Sequence, residues 1–379
     1  MIQNLQELWN SIEDPGFAAA EDAINPAPKP FTVLSGAELR NVTVPPKTNV
    51  LGDGVIAMGQ LTTMIGQGGV GKSRAAMQIG ISQILGWPVA GLNTHPEPLK
   101  HLFIGTENSI HRQKSDYLKM TAAITPDQRE LVDTHVFFHI VKEVDDAFIN
   151  LGSDEIRRKW LDTIEMVNPD CIWVDPFGEV NAGDINKDAD VRHTLRELAK
   201  VCRRFNQNTA IIVLHHGRTG RQNIAQAVGW DKGNFALGSK ALYSGSRSQI
   251  NIAPADPDDH SRIVVSCGKS NDAKPFAPVG LKLNEDTMLY DLDTSFDLNA
   301  WKDDVEGKRT NANFSISEVA QAIEAGGTKV AEIHATLGGK DAGSRRSLER
   351  ILGKGKVEGY FRTGKGGYKV TEKGRKIIT

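Results

Sequence analysis

The stretch "MIGQGGVGKS", residues 64–73, places four glycines, one lysine and one serine directly behind a short apolar run. From Gly66 to Ser73 it fits G-x-x-x-x-G-K-[ST], with "QLTTMI" reading as the strand before it and "KSRAAMQIG" as the helix after it. The physical logic is that of an anion cradle. Residues without side chains let backbone N–H groups turn inward, and the helix that follows adds the positive end of its dipole. Lys72 is then placed to neutralise charge on β- and γ-phosphates, and the Ser73 hydroxyl to ligate Mg2+. Gly66, Gln67, Gly68, Gly69, Val70, Gly71, Lys72, Ser73 and Arg74 are the candidate nucleotide-binding residues, with ATP and Mg2+ as the expected cofactors.

Outward from this motif, residues 52–295 alternate short apolar runs with helix-length segments. The runs are "QLTTMIG", "LKHLFIGT", "HVFFHIV", "PDCIWVD", "TAIIVLHH" and "SRIVVSCG". Runs rich in Val and Ile, separated by helices, predict an α/β fold with a largely parallel sheet buried on both faces. "CIWVD" ends in an acid, Asp175, suited to organise the metal, so Ser73 and Asp175 are the candidate metal ligands. "LFIGTEN" carries a second acid, Glu107, where a carboxylate can orient and deprotonate an attacking water. Its position, after the strand next to the P-loop unit, points to the RecA-like branch of P-loop enzymes.

Taken together, Glu107, Asp175 and the strand "TAIIVLHH" ending in His215-His216-Gly217 resemble the RepA-type hexameric replicative helicases among the RecA/DnaB-like ATPases. "DPFGEVNAGDINKDADVR", "GSKALYSGSRSQINI" and "VVSCGKSN" extend the resemblance over residues 52–293. It implies that Glu107 is the catalytic base, that Asp175 is the Walker B aspartate, and that His215 or His216 senses the γ-phosphate. It also implies an arginine finger at Arg247, supplied to the neighbouring subunit, and a second trans cation at Lys269. Leu237 departs from the pattern, where the family often carries Arg. Adjacent residues on a strand point to opposite faces, so only one of the two histidines is expected to face the nucleotide.

The expected partners are DNA, with a single strand in a ring channel, and further copies of the chain, a hexamer by the resemblance. The loop "GRTGRQNIAQAVGWDKGN" is long and carries Arg218, Arg221 and Lys232, candidates for tracking a phosphate backbone. Residues 312–379 read as three short helices and a hairpin, a winged-helix-like basic domain. Arg345, Arg346 and Arg350 lie at helical spacing there and Lys365 in the wing, a distribution suited to duplex contact. From Lys308 onward, fifteen Lys and Arg face seven acids, a net +8, while the rest carries thirty against forty, a net −10. Residues 1–51 read as an arm and 296–311 as a linker.

The remaining composition is that of an ordinary folded protein, with 24% charged and 39% hydrophobic residues in 379. Cys171, Cys202 and Cys267 form no CxxC or Cys/His cluster, and no apolar run reaches the ~20 residues of a membrane span. A cytoplasmic location without membrane contact is expected. Two rivals to a ring-forming helicase fit the same motifs. One is a RecA-like recombination ATPase forming filaments on single strands, and the other a sequence-specific DNA-binding regulator with a P-loop switch.

Overall fold

The computed structural model describes residues 31, 33–43, 49–229, 231–256, 259, 261–305, 314–338, 342–364 and 366–378. The chain divides into two units, residues 1–46 and 47–379. In the first, the exposed helix Gly36–Asn41 starts on a capping box in which Ser35 and Glu38 exchange side-chain to backbone hydrogen bonds.

In the second unit, β1 (Asn49–Leu51) and β2 (Ile56–Ala57) form a small antiparallel pair. The main sheet is built from β3 (Leu61–Gly66), β4 (His101–Gly105), β5 (Val136–Phe138), β6 (Cys171–Asp175), β7 (Ala210–His216), β8 (Ser248–Pro254), β9 (Arg262–Ser270), β10 (Val279–Leu283) and β11 (Tyr290–Leu292). Their order across the sheet is β11-β10-β9-β8-β3-β7-β6-β4-β5. From β5 to β8 neighbouring strands run parallel, and β9, β10 and β11 then alternate antiparallel. One strand, β7, is inserted between the P-loop strand β3 and the Asp175 strand β6.

The apolar runs become strands because both sheet faces are covered. Alternate residues feed two separate cores. Ile65, Ile172, Val174, Ile211 and Val213 join Trp160 and Ile164 of helix Asp154–Val167 and Leu198 of helix Asp188–Cys202. Met64, Trp173, Ile212 and Leu214 instead meet Ala76 and Ile79 of the P-loop helix Lys72–Ile84. Each fully buried aliphatic contributes on the order of 1.5–3 kcal/mol, so a register slip of one residue would exchange the two cores wholesale.

The segment expected as a linker, 296–311, holds the helix Leu298–Val305, whose Trp301 and Val305 are buried in the first of these cores. Burial of that indole draws the segment onto the body. Beyond it, helices Ile316–Glu324, Val330–Thr336 and Ala342–Val357 and the hairpin β12 (Phe361–Gly364)–β13 (Gly367–Val370) enclose a core of their own. Val319, Ile333, Leu348, Leu352 and Phe361 fill it. Lys365 in the wing lies outside the described residues.

Candidate active site

Strands β3, β7, β6 and β4 end at one edge of the sheet. Gly66 pairs with His216 across β3 and β7, and Gly105 with Asp175 across β4 and β6. The topology therefore brings the P-loop, both acids and the histidine pair to the carboxyl ends of adjacent parallel strands, where open α/β sheets bind ligands.

Close approach dictates two of the P-loop glycines. Gly71 has φ +92°, and a Cβ there would lie 2.0 Å from Tyr290 Oη; one on Gly66 would lie 2.7 Å from the Ile252 carbonyl oxygen. A Cβ on Gly68, by contrast, would meet nothing within 4 Å, which leaves that side of the cradle open to a ligand. Tyr290 is itself fixed by Gln78 of the P-loop helix. Its N–H donates to Gln78 Oε1 at 2.7 Å and its carbonyl accepts from Nε2 at 2.9 Å.

Lys72 is buried and its Nζ donates to the carbonyls of Gly66 (3.0 Å) and Gln67 (2.9 Å). Burial lowers its pKa, while the nearby Asp175 and Glu107 carboxylates push it back up. Ser73 Oγ donates to Asp175 Oδ2 at 2.5 Å, and Asn108 Nδ2 reaches the same oxygen at 3.4 Å. Burial raises the Asp175 pKa, opposed by the Ser73 hydrogen bond. Its other oxygen, Oδ1, is buried with no hydrogen-bond partner.

A hydroxyl beside a carboxylate with an unsatisfied oxygen is a donor set that fits a hard dication. Ser73 and Asp175 would hold Mg2+ together with the nucleotide's phosphates, and the ion would supply charge neutralisation there.

The structure separates the two histidines. His216 Nε2 lies 3.2 Å from Glu107 Oε1, and both groups are accessible at the strand edge. His215 is buried and its Nε2–H donates to the Leu237 carbonyl at 2.9 Å, tying β7 to the far end of the long loop. Burial pushes its pKa down to about 4, so its ring is neutral, and Nδ1 has no partner. Leu237 thus serves through its backbone, and its side chain is exposed.

A second buried imidazole, His101, is pushed down to about 3 by burial; it accepts from Trp173 Nε1 at Nδ1 and bonds Gln83 Oε1 at Nε2. Both rings stay neutral in the fold at pH values where the unfolded chain, with imidazoles near 6.5, is protonated. The unfolded state then binds more protons, so stability falls with acidification through the window below 6.5. Going from pH 7 to pH 5 should cost about 2 kcal/mol per histidine, offset in part by the raised Asp175 carboxyl. Urea unfolding at the two pH values, with His101→Gln as comparison, measures it.

Arg247 and Lys269 lie elsewhere. The Arg247 N–H donates to the Leu61 carbonyl at the start of β3, about 16 Å along that strand from Gly66 at 3.3 Å per residue. Its Nη2 meets Asp272 Oδ1 at 3.1 Å. Lys269 Nζ donates to the carbonyls of Tyr243 and Ser246, both at 2.7 Å, and sits over the Tyr243 ring. These two cations occupy the edge of the sheet opposite the P-loop.

Arg74 Nε lies 2.9 Å from the buried Asp116 of helix Ile110–Met120. Arg218 stands at the base of the long loop, where its Nε donates to the Ala236 carbonyl and its own carbonyl accepts from Gln67 Nε2 at 3.1 Å. Lys232 is half-buried, with its carbonyl held by Gln249 and Asn251. Arg345 is exposed beside Glu349, and Arg350 is exposed on the same helix. The side chains of Arg221 and Arg346 lie outside the described set.

Sequence reasoning missed Asn108, Gln78 and Tyr290. Asn108 carried a signal, being the neighbour of Glu107 on the loop leaving β4. Tyr290 carried none, since it reaches the P-loop from a strand more than 200 residues further along the chain.

The AAA domain family matches residues 27–222. A comparison with curated proteins finds no match. Among solved structures, the RadB recombinase is similar at 14% identity and a TM-score of 0.41, over 61% of this chain and 90% of its own. The KaiC-like protein PH0186 from the hyperthermophilic archaeon Pyrococcus horikoshii OT3 is similar at 10% identity and a TM-score of 0.44, over 65% of this chain and all of its own. Among the described residues, no helix is long and apolar enough to cross a membrane.

Proposed function

The chain belongs to the AAA domain family, and from that premise we propose that it is a ring-forming, ATP-hydrolysing DNA motor, a replicative DNA helicase of plasmid, phage or mobile-element type. The observation that carries the proposal is the division of the candidate catalytic groups between opposite edges of one sheet. Lys72, Ser73, Glu107, Asp175 and His216 meet at one edge; Arg247 is anchored about 16 Å along β3 from Gly66, toward the opposite edge, and Lys269 bonds the Tyr243 and Ser246 carbonyls beside it. Head-to-tail stacking of subunits would bring the second set to the first, and such heterologous contacts close into rings or run on as filaments.

In the assembled site, backbone N–H groups of 66–73 and Lys72 hold the triphosphate. Glu107, steadied by His216, takes a proton from water as that oxygen bonds to the γ-phosphorus and the bond to the ADP oxygen breaks. Arg247 of one subunit stabilises the charge spread over the transferring phosphoryl group in the next. Lys269 assists as a second cation. His215 and Arg218, tied to Leu237 and Ala236, connect the nucleotide edge to the 218–236 loop that would track DNA.

The C-terminal three-helix unit with its hairpin is read as a winged helix whose Arg345, Arg346, Arg350 and Lys365 contact duplex phosphates. A forked-duplex unwinding assay on the full chain, beside its Lys72→Ala variant and with electron microscopy of ATP-analogue particles, tests the reading. Rings and ATP-dependent strand separation are the expected result. Filaments without separation would favour the recombination ATPase.

A further inference from the structure

Arg247 is held by a bracket that no motif foretold. Its side chain is 54% exposed, yet Nη2 is bonded to Asp272, whose side chain is only 22% exposed. The Asp272 carboxylate uses both oxygens: Oδ1 accepts from Arg247, and Oδ2 accepts from Gln60 Nε2 at 2.7 Å. Gln60 directly precedes β3, the strand that ends in the P-loop, and Asp272 follows β9, which carries Lys269. The backbone is pinned as well, with the Asn271 N–H on the Arg247 carbonyl at 3.2 Å.

An exposed arginine ordinarily samples many rotamers, and ordering it costs side-chain entropy. A carboxylate that is itself oriented by a neutral amide meets that cost in advance. A guanidinium has five N–H donors, and the bond through Nη2 leaves further donors able to meet a phosphoryl oxygen. The ion pair is partly screened by solvent, so its value lies in direction more than in strength.

We infer that Asp272 is a positioning residue, which with Gln60 presents the Arg247 guanidinium to the nucleotide of a neighbouring copy of the chain. The inference rests on the composite-site reading above and adds to it the group that sets the arginine's orientation. Because Arg247 acts only after substrate is bound, misorienting it should lower kcat and leave KM in place.

The test is steady-state ATP hydrolysis by the full chain with single-stranded DNA, together with particle size, for wild type, Asp272→Ala, Asp272→Asn, Asp272→Glu, Arg247→Ala and the double variant Arg247→Ala/Asp272→Ala. Asp272→Ala and Asp272→Asn should lower kcat about tenfold with KM and particle size unchanged, and Asp272→Glu should recover most of the loss. The double variant should be no slower than Arg247→Ala alone, since both act through one guanidinium.

Turnover within twofold of wild type in Asp272→Asn, or losses that multiply in the double variant, would overturn the assignment of Asp272. The composite-site reading fails by a different result, an Arg247→Ala variant with normal turnover. Asp272→Asn keeps the shape of the side chain, so the test survives if Asp272→Ala does not fold.

Discussion

Glu107→Gln should lower ATP turnover by about 10³-fold while nucleotide binding stays within a fewfold of wild type. The amide keeps the size of the side chain and a contact to His216, and it cannot accept a proton. Loss of proton transfer alone therefore separates it from the parent. The P-loop groups proposed to hold the triphosphate are untouched, since Lys72 and Ser73 engage Gly66, Gln67 and Asp175 and make no described hydrogen bond to Glu107. Phosphate release under saturating ATP, alongside titration with a fluorescent nucleotide, reads the two effects. A variant that keeps a third or more of wild-type turnover would remove Glu107 from the role of base.

Arg247→Ala should be equally severe, about 10³-fold or more in turnover, the scale seen when a cation is withdrawn from the transferring phosphoryl group. Its diagnostic lies in mixing. An Arg247→Ala subunit retains a sound P-loop, and a Lys72→Ala subunit retains a sound arginine. In a head-to-tail assembly of equal parts, about a quarter of the interfaces would join the two intact halves, so two inactive preparations should regain measurable turnover on mixing. Were Arg247 to act within its own chain, no mixture would revive. The 16 Å of β3 between the backbone anchor of Arg247 and Gly66 makes that the less economical geometry.

The strands around the P-loop were legible because each is covered on both faces and so reads as an unbroken run, as in "TAIIVLHH" and "CIWVD". β10 and β11 were not, since "VGLKL" and "YDL" are half polar and antiparallel at the sheet's margin. Glu107 and Asp175 stood out as acids at strand ends. Which histidine meets Glu107 was not readable, because a strand presents neighbours to opposite faces and sequence does not say which face is which. Asp272 was hidden for another reason: its partners Gln60 and Arg247 are 212 and 25 residues away in sequence, and only the pairing of β8 with both β3 and β9 brings them together. Trp301 shows the limit of composition, since a polar-looking segment is held to the body by a few apolar side chains, Trp301 and Val305 foremost.

The Tyr290–Gln78 pairing has a mechanical consequence. Two opposed hydrogen bonds rivet the sheet's outermost strand to the helix that begins at Lys72, and the phenol rests against Gly71. From that strand the backbone runs on through the Trp301 helix toward the basic tail. Tension applied from the tail would meet the buried Trp301 and Val305 first, and whatever strain passed them would be carried by the rivet into the helix that opens the cradle.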